Sequence, residues 1–220
     1  MKAVFTCGGT GGHINPALAV ARVLLERRPD SEILFVGAED GMEATLVPRE
    51  GFRLETLQIS SYMRSLKPSA IRHNVRAALS IRRALKKADR IIRDFQPDVI
   101  LGTGGYASYP MLHEGARLGI PTAVHESNAV PGLATKMVAD KVDRILVSFA
   151  DSRSAYRDPS RVIAVGMPVR EEFVFTRRAD ARRALGLDEK TPMIVSAWGS
   201  LGAREMNKKI AQFMKRECEQ

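Results

Sequence analysis

The sequence predicts an α/β fold, a Rossmann-like parallel sheet wrapped by helices, on three observations. Apolar strand-like runs recur at residues 2–7, 32–36, 53–59, 98–102, 121–125, 143–148 and 161–165. Helix-like stretches at 15–28, 40–49, 69–95, 108–118, 131–141 and 150–156 separate most of them, and such alternation is the mark of parallel strands joined by crossover helices. Glycine-rich loops follow strand-like runs, at Gly8–Gly12 and again at Gly102–Gly105. Loops of this kind lie where an open α/β sheet gathers its ligands.

The first strand-like run, KAVFTC, passes through Gly8-Gly9-Thr10-Gly11-Gly12-His13 into the helix-like INPALAVARVLLERR. Glycine admits positive φ and close backbone approach, and the N-terminus of the following helix adds about half a positive charge. A phosphorylated ligand fits such a loop. A plain turn would not need four glycines, which cost backbone entropy. A dinucleotide fingerprint read from Gly9 requires glycine where Ile14 stands, so a nicotinamide enzyme is disfavoured. Pro16 and Pro131 are expected in first helical turns, where proline is tolerated.

The third loop, Trp198–Ala203, follows a strand expected at 193 and opens a further helix-like piece. The expected organisation is an N-terminal domain over 1–165, a linker over 166–189, and the first βα unit of a second Rossmann-like domain over 190–220. A fourth candidate loop is HESNAVPG, where His125, Glu126 and Asn128 end a strand.

Composition is that of an ordinary globule. Cys7 and Cys218 are the only cysteines, so neither a disulfide framework nor a cysteine metal site is indicated, and a reducing compartment is expected. No signal-peptide core opens the chain and no run approaches a membrane span. The protein is expected to be neither exported nor membrane-spanning.

Charge is concentrated. Between Arg64 and Arg93 stand ten Lys or Arg against the single acid Asp89, so this segment accounts for the whole formal charge of +9. Ile71, Val75, Ala78, Leu85 and Ile92 recur within it at helical spacing, which predicts a helix with one buried stripe. A solvated face is one reading of such a run. The other is a local positive field, carried by Arg72, Arg76, Arg82, Arg83, Lys86 and Lys87, that attracts an anionic membrane surface. The segment holds no aromatic residue to stack bases, so nucleic acid is not an expected partner.

GGTGGHINPALAVA, VGAEDGMEATLVPREGF, DVILGTGGYASYP, IPTAVHESNAVPGLATK, VGMPVR and WGSLGAREMN resemble, in order and over essentially the whole chain, the MurG family of bacterial glycosyltransferases. The resemblance implies a GT-B architecture with a truncated second domain. It implies transfer of GlcNAc from UDP-GlcNAc to undecaprenyl-linked lipid I, giving lipid II for peptidoglycan. It implies a peripheral position at the cytoplasmic face of the bacterial membrane, and other cell-wall synthesis proteins as further partners. No cofactor is implied, and no DxD pattern suggests a metal held by paired aspartates.

Inverting transfer needs a base beside the acceptor hydroxyl and donors for a departing diphosphate. His13 is the best-placed base, with a helix-capping role as its alternative; Glu126 is a second acid/base candidate that could equally orient a ligand or close a turn. By similarity, Thr10, Gly11, Gly12 and Asn128 line the sugar-nucleotide side, Arg170 and Ser200 approach the donor, and Gly104, Gly105 and Tyr106 meet the acceptor pyrophosphate. His73, His113 and His125 read as structural, and Met42, Met63 and Met111 as packing residues. Met167 stands where the family usually has Asn, and the family's donor-reading acidic and glutamine residues would fall beyond residue 220. Three readings therefore stay open: a transferase, a non-catalytic lipid-pyrophosphate-binding module, and the acceptor half of a split enzyme.

Overall fold

A computed structural model describes residues 1–60, 68–197 and 204–218, with the side chains of 68–71, 73, 75, 76 and 218 left out. The chain divides into two compact units, Met1–Arg170 and Glu171–Gln220.

The first unit is built on a sheet of seven parallel strands: β1 (Lys2–Thr6), β2 (Glu32–Ala38), β3 (Arg53–Leu57), β4 (Val99–Gly102), β5 (Thr122–Glu126), β6 (Arg144–Val147) and β7 (Val162–Ala164). Their order is β3-β2-β1-β4-β5-β6-β7. Every predicted strand of this unit forms within two residues of its expected bounds. The helices are α1 (Gly11–Arg27), α2 (Glu43–Arg49), α3 (Pro68–Phe95), α4 (Ser108–Arg117) and α5 (Leu133–Val138), and residues Ala150–Ala155 form a 3-10 turn.

Alternate residues of the strands feed two cores, one on each face. Ala3, Phe5 and Phe35 pack with Ile14, Ala17, Leu18 and Ala21 of α1 and Val47 of α2. Val4, Leu34, Val36 and Ile100 pack with Ala84, Ala88, Ile91 and Ile92 of α3, Met111 and Leu112 of α4, and Val138 of α5. Strands buried on both faces explain why these runs read as continuously apolar.

Four local expectations change. Helix α1 begins at Gly11, so Pro16 lies inside it and removes the donor that would serve the carbonyl of Gly12. Helix α5 begins at Leu133 behind Gly132, so Pro131 precedes the helix. On α3 the buried line runs through Ala77, Ala84, Ala88 and Ile91, a strict helical spacing, whereas Ala78 one position round is exposed. Met111 is fully buried as expected, but Met42 is 49% exposed on the loop before α2. Met63 lies outside the described residues.

The second unit holds α6 (Glu171–Phe175), α7 (Arg178–Ala184) and α8 (Arg204–Cys218). The buried Arg182 guanidinium donates to the carbonyls of Asp188, at 2.6 Å, and Thr191, closing the turn after α7. The strand expected at 193 is not formed. A strand needs a neighbour for its backbone groups, and Ile194 and Val195 stand 85% and 72% exposed without one among the described residues. No helix is long and apolar enough to cross a membrane, among the described residues.

Candidate active site

The strand order places the site. After β1 the chain turns through α1 towards β2, and after β3 it returns to the other side of β1 to form β4, so the order reverses between β1 and β4. Loops leaving the carboxyl ends of two such strands splay apart and open a crevice. Both glycine loops of the first unit leave from these two strands.

They interlock. Gly9 takes φ +89, and Gly104 and Gly105 take φ +99 and +80, a region that side chains rarely adopt. A Cβ on Gly105 would sit 2.0 Å from the carbonyl oxygen of Gly8, and one on Gly104 would sit 2.7 Å from Nδ1 of His13. Glycine is therefore required at 104 to admit the imidazole. Thr10, with extended backbone at φ −145, caps α1 and accepts from the N–H groups of His13 and Ile14 at 3.0 and 3.2 Å.

His13 is held twice by Thr103. Its Nδ1 lies 3.1 Å from the Thr103 carbonyl, and the Thr103 hydroxyl donates to the His13 carbonyl at 2.6 Å. A carbonyl oxygen only accepts, so Nδ1 carries the proton and Nε2 is left as the basic nitrogen of the neutral ring. The helix-capping alternative for this histidine finds no support, since its ring bonds the β4 loop and not the end of its own helix.

A cavity of about 260 Å³ opens beside these groups. His13, Gly104, Gly105, Tyr106, Glu126 and Asn128 line its polar side, and Ile59, Ile81, Tyr109, Leu133 and Met137 line its apolar wall. Of the three glycine loops expected to face one cleft, the second lines this cavity beside the His13 imidazole that ends the first, and the third lies outside the described residues. Thr10, Gly11 and Gly12 form the adjoining turn at the head of α1 and are not among its lining residues. The apolar wall was not read from the sequence, because its residues come from four separate segments.

Glu126 differs from its acid/base expectation. It is 3% exposed, and its carboxylate accepts from the Asn128 backbone at 2.9 Å, the Asn128 amide at 2.7 Å, the Gly132 backbone at 2.9 Å and the Thr135 hydroxyl at 2.6 Å. Burial works to raise its pKa, but the donors from Thr135, Asn128 and Gly132 prevail and hold it below the usual value. A carboxylate saturated with donors is a poor proton acceptor. Glu126 closes the HESNAVPG turn, caps α5 and orients Asn128. His125 is 2% exposed, its Nε2 lying 3.0 Å from the Gly166 carbonyl, in keeping with a structural role. The Tyr106 phenol is pushed up by burial and by the charges of Glu43 and Asp40, so it remains a neutral donor.

Arg170 lies elsewhere. Its guanidinium pairs with Glu50 at 3.6 Å, beside the Arg22–Glu50 pair, and it is not among the cavity's lining residues. Two acceptor oxygens on one carboxylate explain why both arginines gather there. Ser200 and its loop lie outside the described residues, as do Arg64, Lys67 and the side chains of Ile71, His73, Val75 and Arg76. Arg72, Arg82, Arg83, Lys86 and Lys87 are exposed on α3.

Residues 3–147 match the model of the glycosyltransferase family 28 N-terminal domain. A UDP-N-acetylglucosamine–N-acetylmuramyl-(pentapeptide) pyrophosphoryl-undecaprenol N-acetylglucosamine transferase of Acetivibrio thermocellus is 40% identical over 98% of this chain and 58% of its own length. A protein of the same name from Caldanaerobacter subterraneus is 39% identical over the same shares. Among solved structures, MurG of Acinetobacter baumannii superposes with a TM-score of 0.66 at 25% identity, over 94% of this chain and 55% of that one. The chain thus spans under three fifths of the length of these relatives, and they bear out the resemblance read from its motifs.

Proposed function

The chain belongs to the family of glycosyltransferase family 28 N-terminal domains, and from that premise we propose that it holds a lipid-linked pyrophosphoryl sugar as acceptor for GlcNAc from UDP-GlcNAc. The acceptor on this reading is lipid I and the product lipid II, as the names of the relatives suggest. One observation carries the proposal: a single cavity joins the Gly104–Tyr106 loop and the imidazole of His13, which ends the first glycine loop, to an apolar wall. The loops and the head of α1 suit a pyrophosphate, and the wall suits the hydrocarbon attached to it.

In the proposed reaction Nε2 of His13 takes the proton of the acceptor hydroxyl as that oxygen bonds to the anomeric carbon of the donor GlcNAc, and the bond from that carbon to the diphosphate breaks to release UDP. Thr103 keeps the ring in the tautomer that this needs. Asn128, aligned by Glu126, and the Tyr106 phenol offer polar contacts to the sugar and pyrophosphate. Gly11 and Gly12 contribute first-turn N–H groups that an α-helix leaves without partners. Arg170 and Ser200 remain proposed donor-side groups by similarity alone.

Membrane attachment is part of the same proposal. Leu79, Val130, Leu133 and Met137 are 59%, 73%, 52% and 39% exposed, and Leu133 and Met137 also line the cavity. These exposed apolar side chains, two of them at the cavity, support with the basic face of α3 a peripheral position on an anionic bilayer, from whose surface a lipid-linked acceptor would be drawn.

The test is retention of a lipid I analogue by this chain on vesicles, against vesicles lacking the pyrophosphoryl sugar. A chimera carrying the remaining length of the Acetivibrio relative is then assayed for GlcNAc transfer. Selective retention and His13-dependent transfer are expected. No selective retention would overturn the proposal.

A further inference from the structure

Glu43, at the start of α2, is fully buried. Its Oε1 accepts the Ala38 N–H at 2.7 Å, and its Oε2 accepts the Gly9 N–H at 3.1 Å. Three glycines make room for it. A Cβ on Gly8 would lie 2.6 Å from Oε1, one on Gly37 would lie 2.4 Å from Cγ, and one on Gly41 would lie 2.3 Å from Cδ. A buried carboxylate is costly unless its partners repay the lost hydration, and an apolar residue would fill the same space at less cost. Packing alone does not call for a charge here.

What the charge does is occupy one donor of the first glycine loop. The Gly9 N–H points at Glu43, so an anion seated on that group would compete with a carboxylate already bound and be repelled by it. The N–H groups of Gly104, Gly105 and Tyr106, by contrast, have no acceptor among the described residues. Gly9 in turn supports that second loop, since a Cβ there would be 3.2 Å from the Tyr106 ring, and Gly8 abuts Gly105.

We infer that Glu43 is a positioning residue that fixes the Gly8–Gly9 backbone and thereby directs a pyrophosphate to the head of α1 and to the Gly104–Tyr106 loop. The inference rests on the reading of the cavity as a pyrophosphate site. Its test is amide NMR of the chain titrated with inorganic pyrophosphate. The Gly11, Gly12, Gly104, Gly105 and Tyr106 amides are expected to shift, and those of Gly9 and Ala38 to stay.

In Glu43→Gln, one of the two N–H groups must face an amide NH2. The Gly9 resonance should move, and pyrophosphate affinity should fall about ten- to a hundredfold with a cooperative thermal transition retained. Equal affinity in the variant would overturn the Glu43 assignment while leaving the site reading intact. A Gly9 amide that follows the ligand as strongly as Gly105 in the unaltered chain would overturn it too, and this readout decides alone if the variant does not fold. No pyrophosphate binding by the unaltered chain would remove the site reading and the inference together.

Discussion

His13 and Thr103 are joined by two reciprocal contacts, ring Nδ1 to carbonyl oxygen at 3.1 Å and hydroxyl to carbonyl at 2.6 Å, which bind the head of α1 to the end of β4. One residue of α1 is thus given both its position and its tautomer by the strand across the switch point. In the chimeric transferase, His13→Gln should lower transfer by about a hundred- to ten-thousandfold, the usual contribution of a general base. Thr103→Val keeps the carbonyl acceptor and loses the hydroxyl, so it should cost about 1 kcal/mol of stability and far less activity. Steady-state rates and denaturant melts check both; a His13 variant of undiminished rate would remove the base assignment.

Glu126→Gln tests the turn-closing role. The amide can accept from one side only, and its NH2 would face the Gly132 or Asn128 N–H. A loss of about 2–3 kcal/mol is expected, since bonds to a charged acceptor are the stronger kind. Were Glu126 the base instead, the variant would fold as stably as the parent and lose transfer as completely as the His13 variant. Denaturant unfolding beside the transfer assay separates the two.

The seven strands were legible because most are largely apolar and helix-like stretches or turn residues separate them, β3 being the exception with Arg53, Glu55 and Thr56 among its five residues. The convergence of the first two glycine loops was legible too, since strands that open a crevice are the usual bearers of such loops. Glu43 was not, because in the acidic run Glu39-Asp40-Gly41-Met42-Glu43 it looks like one more solvated carboxylate; only the flanking Gly37 and Gly41 signal the space it needs. The Glu50 partner of Arg170 was hidden for a related reason. A guanidinium suited to phosphate suits a carboxylate equally, and which one it meets depends on a partner, Glu50, far away in sequence.

Gly105→Ala and Gly51→Ala separate backbone strain from collision. Their φ values are alike, +80 and +81, but a Cβ at 51 meets nothing within 4 Å while one at 105 meets the Gly8 carbonyl at 2.0 Å. Gly51→Ala should lose about 1 kcal/mol from left-handed backbone alone. Gly105→Ala should lose more, by forcing the two loops apart, and should abolish pyrophosphate-dependent amide shifts. Equal losses in the two variants would mean that the loops are free to separate.

His125 makes stability depend on pH. Burial lowers its pKa from 6.5, outweighing the Gly166 bond and the Glu126 charge, which raise it. The unfolded chain therefore binds the proton more readily than the folded one, so the stability tied to the neutral ring is present above pH 6.5 and is lost as the pH falls through the folded value. Thermal melts should decline on acidification below that point, and His125→Gln should flatten this part of the curve. An unchanged slope in the variant would assign the decline to the carboxylates.

Charge reversal at Arg82, Arg83, Lys86 and Lys87 tests the membrane surface. These side chains are exposed, while Arg93 and Arg117 on the same side are partly neutralised by Asp89, the arginines lying beside one shared carboxylate. Each free cation near an anionic bilayer contributes about 1 kcal/mol, so the fourfold reversal should abolish sedimentation with phosphatidylglycerol vesicles at low salt. Raising ionic strength should weaken binding of the parent as well, because the screening length falls to about 10 Å at 0.1 M. Binding through Leu79, Val130, Leu133 and Met137 alone would resist both treatments. Partitioning that survives reversal and salt would therefore assign attachment to these apolar side chains and leave the basic face as a solvated one.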